Sequence, residues 1–382
     1  MTDGADMPNV PLRFADLGVG FAPYLAPPGP EVVRWTVGEP GFDTPSAIVE
    51  AAVQALRNGR TKYTRGAGAE SLCSAIAESF QRLWGIPSEM ETVLVTPGAK
   101  QALLYAMMVT CEPADELILL APSWPSYVGQ AGLLGIEAVH VATDASFHPD
   151  LAAIEAAVTE RTRAIVVNSP NNPTGAVYRP AELQALVDLA VVHDLWIISD
   201  EIYARLVWCD WPHVSPAALP GGADRTIVVS GFSKTWAMTG WRLGMMTGPA
   251  EAMAAAIRCQ ANAASHVPTF LMPAAEAALY QEEQVAQFRL QYLERRSMLL
   301  EGLASLPGIE ASEPEGAFYA FCDIRGSGMS DREFADRALT EAKVQLIPGS
   351  LIIGGEGNIR ISYAVDAEAI EEGLRRLTAW LC

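Results

Sequence analysis

One lysine sits in a stretch whose composition lowers its hold on a proton. In Ser230-Gly-Phe-Ser-Lys-Thr-Trp-Ala-Met-Thr-Gly-Trp-Arg-Leu-Gly244, Lys234 lies among small and aromatic residues, with Arg242 eight positions on. Poor solvation and a nearby cation both favour the neutral amine. A neutral amine attacks carbonyl carbon, so Schiff-base chemistry is a natural use for it; a structural, ion-paired lysine is the plainer one. Asp200, in Asp200-Glu-Ile-Tyr203, ends an apolar run, where an unpaired carboxylate is costly to bury. It calls for a cation or serves as a helix cap. Gly98-Ala-Lys100 opens a helix with small residues, and free N–H groups at a positive dipole end suit a phosphate. An ordinary strand-to-helix turn has the same look.

The elements that must position these groups alternate in kind. Apolar runs at 92–96, 116–121, 163–168, 195–199 and 227–229 read as buried strands. Helical patterns intervene at 71–84, from Gly98, and from Pro180 with Leu183, Leu186, Val187, Ala190 and Val191 on one face. Such alternation predicts an α/β doubly wound, mostly parallel sheet with a ligand crevice at the strands' carboxyl ends. Ahead of it, residues 1–35 with Pro27-Pro-Gly-Pro30 read as an arm. Thr44 is placed to cap a helix with Pro45 in its first turn, Ile48, Ala51, Ala52 and Leu56 on one face, and Gly59 as its stop. Helices over 251–303, with Val285, Phe288 and Tyr292 on one face, lead to a second domain. Strands there are expected at 314–321, 345–349 and 357–364, with a last helix over 366–380.

With 382 residues the chain exceeds the usual single core. The expected division is an arm and part of the small domain (1–45), a large domain (46–285) and a small C-terminal domain (286–382). A net charge of -19 without a basic cluster argues against nucleic acid or anionic membrane as partner. Six scattered cysteines show no metal-ligand spacing and read as buried free thiols in a reducing compartment. The acidic N-terminus lacks a signal-peptide pattern, and no apolar run approaches the roughly 20 residues that span a bilayer. A cytoplasmic enzyme is the expectation.

The stretch Gly231-x-Ser-Lys-x-x-Ala-x-x-Gly-x-Arg-x-Gly244 resembles the lysine signature of the class I aminotransferases, fold-type I enzymes that use pyridoxal 5'-phosphate (PLP). The resemblance spans Gly38 to Arg360 through six motifs in family order. It implies a large domain with a mostly parallel seven-stranded sheet and a smaller α/β C-terminal domain. Lys234 would bond covalently to the cofactor and Arg242 would hold its phosphate, together with Gly98, Ala99 and the Lys100 backbone. The chain departs from the pattern at Gly231, where some relatives carry serine; without that donor the others must do more. Trp124, in Pro122-Ser-Trp-Pro-Ser-Tyr127, would stack on the pyridine ring. Asn172 of Asn172-Pro-Thr-Gly175 and Tyr203 would bond its phenolic oxygen, with a cis Asn172–Pro173 peptide. Asp200 would hold the ring nitrogen protonated. Gly38, in Gly38-Glu-Pro-Gly-Phe-Asp-Thr-Pro45, and Arg360, in Arg360-Ile-Ser-Tyr-Ala364, would meet the substrate carboxylate. Tyr63 would reach across a homodimer interface to the partner's phosphate, making a composite site.

The implied activity is ping-pong transamination between an L-amino acid and a 2-oxo acid, with freed Lys234 as general base. Lys100 resembles a lysine that meets the distal carboxylate in some bacterial aspartate aminotransferases, so acidic amino acids such as aspartate are the lead; a surface lysine is the alternative. Other PLP enzymes (a C–S β-lyase, a cyclopropane-forming synthase, an amino-acid oxidase) resemble these enzymes at the same residues. A PLP-binding module of a transcription regulator would need a DNA-binding domain for which there is no room before Gly38.

Overall fold

Runs that are apolar at every position need cover on both sides, and here they form the middle of a sheet. The computed structural model describes residues 21, 24 and 29–382, so most of the expected arm lies outside the described residues. The strands are β1 (Val33–Arg34), β2 (Leu94–Thr96), β3 (Glu116–Ala121), β4 (Glu137–Ala142), β5 (Thr162–Asn168), β6 (Trp196–Asp200), β7 (Thr226–Gly231) and β8 (Gly244–Thr247). They continue with β9 (Glu310–Ala311), β10 (Tyr319–Asp323), β11 (Val344–Gln345), β12 (Ile347–Pro348) and β13 (Asn358–Ser362). Seven join in the order β2-β8-β7-β6-β5-β3-β4, parallel except for β8.

Helices α1 (Ser46–Arg57), α2 (Glu70–Trp84), α3 (Ala99–Thr110), α4 (Ser126–Leu134), α5 (Leu151–Ala157), α6 (Pro180–Val192), α7 (Ala250–Ala263) and α8 (Met272–Ala278) cover this sheet. The two-residue period of a strand divides the cover. Leu117 and Leu119 of β3 pack with Leu103, Tyr127 and Met253 of α3, α4 and α7. Their neighbours Ile118 and Leu120 pack oppositely, with Ile154 and Leu186 of α5 and α6.

The remaining strands make a four-stranded antiparallel sheet, β12-β13-β10-β9, and a parallel pair, β1-β11. Helices α9 (Glu282–Leu303), α10 (Asp331–Arg337) and α11 (Ala367–Leu381) pack with them. Asp366 caps α11, its Oδ1 accepting from the Ala369 N–H at 2.8 Å. The long α9 runs between two cores: Val285 belongs to that of the large sheet, whereas Phe288, Tyr292, Leu299 and Leu303 belong to that of the small one.

Several local expectations are corrected. Thr44 does not cap α1, which starts after Pro45; its hydroxyl donates instead to Ala237 O at 2.6 Å. Leu56 and Val191 face outward, because helices half-covered by a sheet bury a narrower stripe than their apolar pattern suggests. The strand expected from 314 starts at Tyr319, since 314–318 forms the loop between the sheets. β4, α4 and α5 were not anticipated: β4 is an edge strand with only Val141 buried, so it lacks the apolar run that marks the others. Of the six cysteines only Cys73 and Cys322 are buried; Cys111, Cys209 and Cys259 are half-buried and Cys382 is exposed. Among the described residues, no helix is long and apolar enough to cross a membrane.

Candidate active site

The carboxyl ends of the parallel strands and the loops of the small sheet enclose a cavity of about 310 Å³. Lys100, Lys234, Arg242 and Arg360 line it, against two acids, Glu39 and Asp200. The site is therefore locally cationic in a protein of net charge -19. Gly38, Ala99, Trp124, Asn172 and Tyr203 line it too, so the anticipated residues converge here, with Gly98 directly behind. Tyr63 does not join them: its ring is 91% exposed, beside a separate hollow formed with Arg60 and Thr269.

Lys234 follows β7 and donates to Gly38 O at 2.5 Å. Burial chiefly lowers its pKa, to about 8; Glu39 opposes the shift, and Arg360 and Arg242 add to it. In the cofactor-free protein its acylation should therefore rise with pH and level off just above pH 8. An ordinary lysine keeps gaining reactivity toward pH 10.5. Competitive labelling with acetic anhydride, mapped to this residue, measures the midpoint; a value near 10 contradicts the assigned environment.

Asp200 is the last residue of β6 and is 3% exposed. Its Oδ2 accepts from the Tyr127 hydroxyl at 2.7 Å and its Oδ1 from the Ile202 N–H at 3.3 Å. Desolvation nevertheless dominates and pushes the carboxyl up to about 6. A cation beside it would reverse that shift.

α3 starts at Gly98, where φ is 86° and no side chain caps the first turn. A Cβ at Gly98 would lie 2.6 Å from Arg242 Nη2, so only glycine lets the guanidinium lie over this helix end. Arg242 itself has φ 54° and is steadied by its Nη1 donating to Thr239 O at 3.0 Å. Lys100 Nζ stands 4.8 Å from the Trp124 ring centre, so its side chain turns toward the cavity. Burial and Arg242 both lower its pKa.

Arg360, on β13, is 2% exposed. Its Nη1 donates to Asn172 Oδ1 at 2.9 Å and its Nη2 to Thr36 O at 2.7 Å, while Nε is buried and has no partner among the described residues. Asn172 is held by its own N–H donating to Asn168 Oδ1 at 2.9 Å, and the Asn172–Pro173 peptide is cis. Sequence reasoning missed Thr36, Tyr127, Asn168, Ser233 and Tyr319. Two carried a signal: Ser233 as a fixed position of the lysine signature, and Tyr127 as an aromatic one helical turn beyond Trp124 at a strand's end.

The profile of the family described as aminotransferase class I and II matches residues 30–377. The aspartate/prephenate aminotransferase of Thermus thermophilus is 40% identical over 91% of this chain and 90% of its own. An aromatic-amino-acid aminotransferase of Thermococcus litoralis is 38% identical, covering 91% and 90%. The structure of the Thermus thermophilus aspartate aminotransferase with maleate superposes with a TM-score of 0.93 at 38% identity, covering 98% of this chain and all of that one. The chain belongs to the class I and II aminotransferases and has their fold-type I architecture. It is a PLP-dependent transaminase, moving an amino group between an amino acid and a 2-oxo acid.

Proposed function

We propose that the cavity holds PLP through the residues named above and that the enzyme acts on acidic amino acids such as aspartate. The observation that carries the reading is the meeting of three features in one cavity: an amine lowered to about 8, a buried carboxyl raised to about 6, and an uncapped helix end under an arginine. Those features fit an aldehyde, a basic ring nitrogen and a phosphate. When bound, the cofactor supplies the carbonyl carbon and the electron sink. Asp200 would supply negative charge to the ring nitrogen, and Trp124 would offer its flat face to the ring. Asn172 and Tyr203 donate toward the phenolic oxygen. Gly98, Ala99, the Lys100 backbone and Arg242 receive the phosphate. Lys234 Nζ, once free, would be the base that receives and holds the proton leaving the substrate Cα. Gly38 and Arg360 would orient the substrate carboxylate, the guanidinium keeping N–H donors beyond those given to Asn172 and Thr36.

The choice of acidic substrates rests on Lys100 and on the names of the relatives from Thermus thermophilus and Thermotoga maritima. Lys100→Ser should raise KM for aspartate roughly tenfold to a hundredfold, the worth of a charge-assisted hydrogen bond, and leave alanine nearly untouched. Equal losses on both substrates defeat the assignment. We further infer a cytoplasmic homodimer in which the exposed Tyr63 serves the partner's phosphate, with 46–285 and 286–382 as two domains. Sedimentation at a single chain's mass would contradict the shared site.

A further inference from the structure

Tyr319, on β10, lines the cavity and touches both halves of the site. Its hydroxyl lies 3.0 Å from that of Tyr203, and its ring centre lies 4.5 Å from the Arg360 guanidinium carbon. The Phe21 ring centre also lies 4.5 Å from that carbon. A third contact is with Gly38, where an added Cβ would stand 1.9 Å from the Tyr319 hydroxyl. The carbonyl of Gly38 accepts from Lys234. Tyr319 is 2% exposed, so none of these contacts is shared with bulk water.

We propose that Tyr319 is a positioning residue with two separable duties: its hydroxyl aligns Tyr203, and its ring holds the Arg360 fork in the plane that receives a carboxylate. The inference rests on the roles assigned above to Tyr203 and Arg360. The separation follows from the chemistry. A hydroxyl pair is a directional contact between two neutral groups, and deleting one oxygen removes it while the ring stays. A guanidinium over an aromatic face is held by the ring's quadrupole, which survives loss of the hydroxyl and vanishes with the ring. β10 and β13 are hydrogen-bonded neighbours, with Tyr319 opposite Ser362 and Phe321 opposite Arg360. Arg360 thus stands diagonally from Tyr319 across the pair, within reach of a long side chain.

The test compares Tyr319→Phe and Tyr319→Leu in the holoenzyme, using succinate, an unreactive dicarboxylate, as the binding probe. Tyr319→Phe should lower kcat about fivefold to tenfold, as expected for one neutral hydrogen bond. It should also move the pH at which the visible absorbance titrates, and leave the succinate Kd unchanged. Tyr319→Leu should do the same and in addition raise that Kd about threefold to thirtyfold. In a Tyr203→Phe background, Tyr319→Phe should cost nothing more in kcat. A Kd raised equally by both variants, or kcat losses that multiply in the double variant, overturns the division of duties. Should Arg360→Ala raise the Kd while Tyr319→Leu leaves it unchanged, the inference falls and the site reading stands. If Arg360→Ala leaves succinate binding unchanged, both fall.

Discussion

Replacing Lys234 by alanine is expected to cut transamination by about four orders of magnitude or more, the upper end of what one positioned proton-transferring group contributes. Two functions disappear together: the amine that bonds the cofactor and the base that moves the Cα proton. The structure gives the reason no neighbour substitutes. A guanidinium is too weak a base to serve as proton acceptor, and Lys100 is held beside Trp124 rather than at Gly38. The variant should still bind PLP without a covalent bond, since the helix end, Arg242 and Asp200 remain. Borohydride reduction of wild-type holoprotein should mark residue 234, and the variant should take no label. Turnover within tenfold of wild type in the variant, or a label elsewhere, would remove Lys234 from the mechanism.

Asp200→Asn should produce the second largest loss. Breaking a buried charge pair from one side costs about 3–5 kcal/mol, which in a barrier is roughly two to four orders of magnitude. The asparagine keeps the shape and can still accept from Tyr127, giving up only the longer bond from the Ile202 N–H, so the loss reports chiefly charge rather than packing. The direction of the Asp200 shift supports this reading. A carboxyl raised to about 6 by desolvation gains most from a cation placed against it. Measured in the first half-reaction with a single amino acid, kcat should fall while the succinate Kd stays put. A loss below fivefold would show that this carboxylate does not govern the ring's charge. Tyr127, which donates to the same carboxylate, works against the shift, so its removal should move Asp200 further toward the neutral form.

Much of the fold was legible because its signals are local. A buried parallel strand needs an unbroken apolar run, and β3, β5, β6 and β7 each have one. Where a strand lies at the edge, as β4 does, one face meets water and the run is lost. Helix starts at Gly98, Pro180 and Asp366 were read to within a residue, but the cap expected at Thr44 was not. Thr44 has the right type for a cap, but a carbonyl nearly two hundred positions away, that of Ala237, claimed its hydroxyl. The candidate site divides in the same way. Lys234, Asp200, Asn172 and Arg242 stand at strand ends or in the loops that follow, inside recognisable short motifs. Tyr319 fell in the run 314–321 read as a strand and Thr36 just ahead of the Gly38 segment, but neither was given a place in the site.

By itself the sequence determined the alternation of strands and helices, the type of residue at each strand's end, and the family to which the chain belongs. These depend on apolar periodicity and on neighbours within a few positions. Only the tertiary structure decided which side chains meet: Lys234 with Gly38, Arg360 with Asn172 and Thr36, Tyr203 with Tyr319. Those partners lie between 116 and 324 positions apart. Their meeting is set by how the small sheet packs against the ends of the large one, and each buried polar group then takes whatever partner that packing brings within reach.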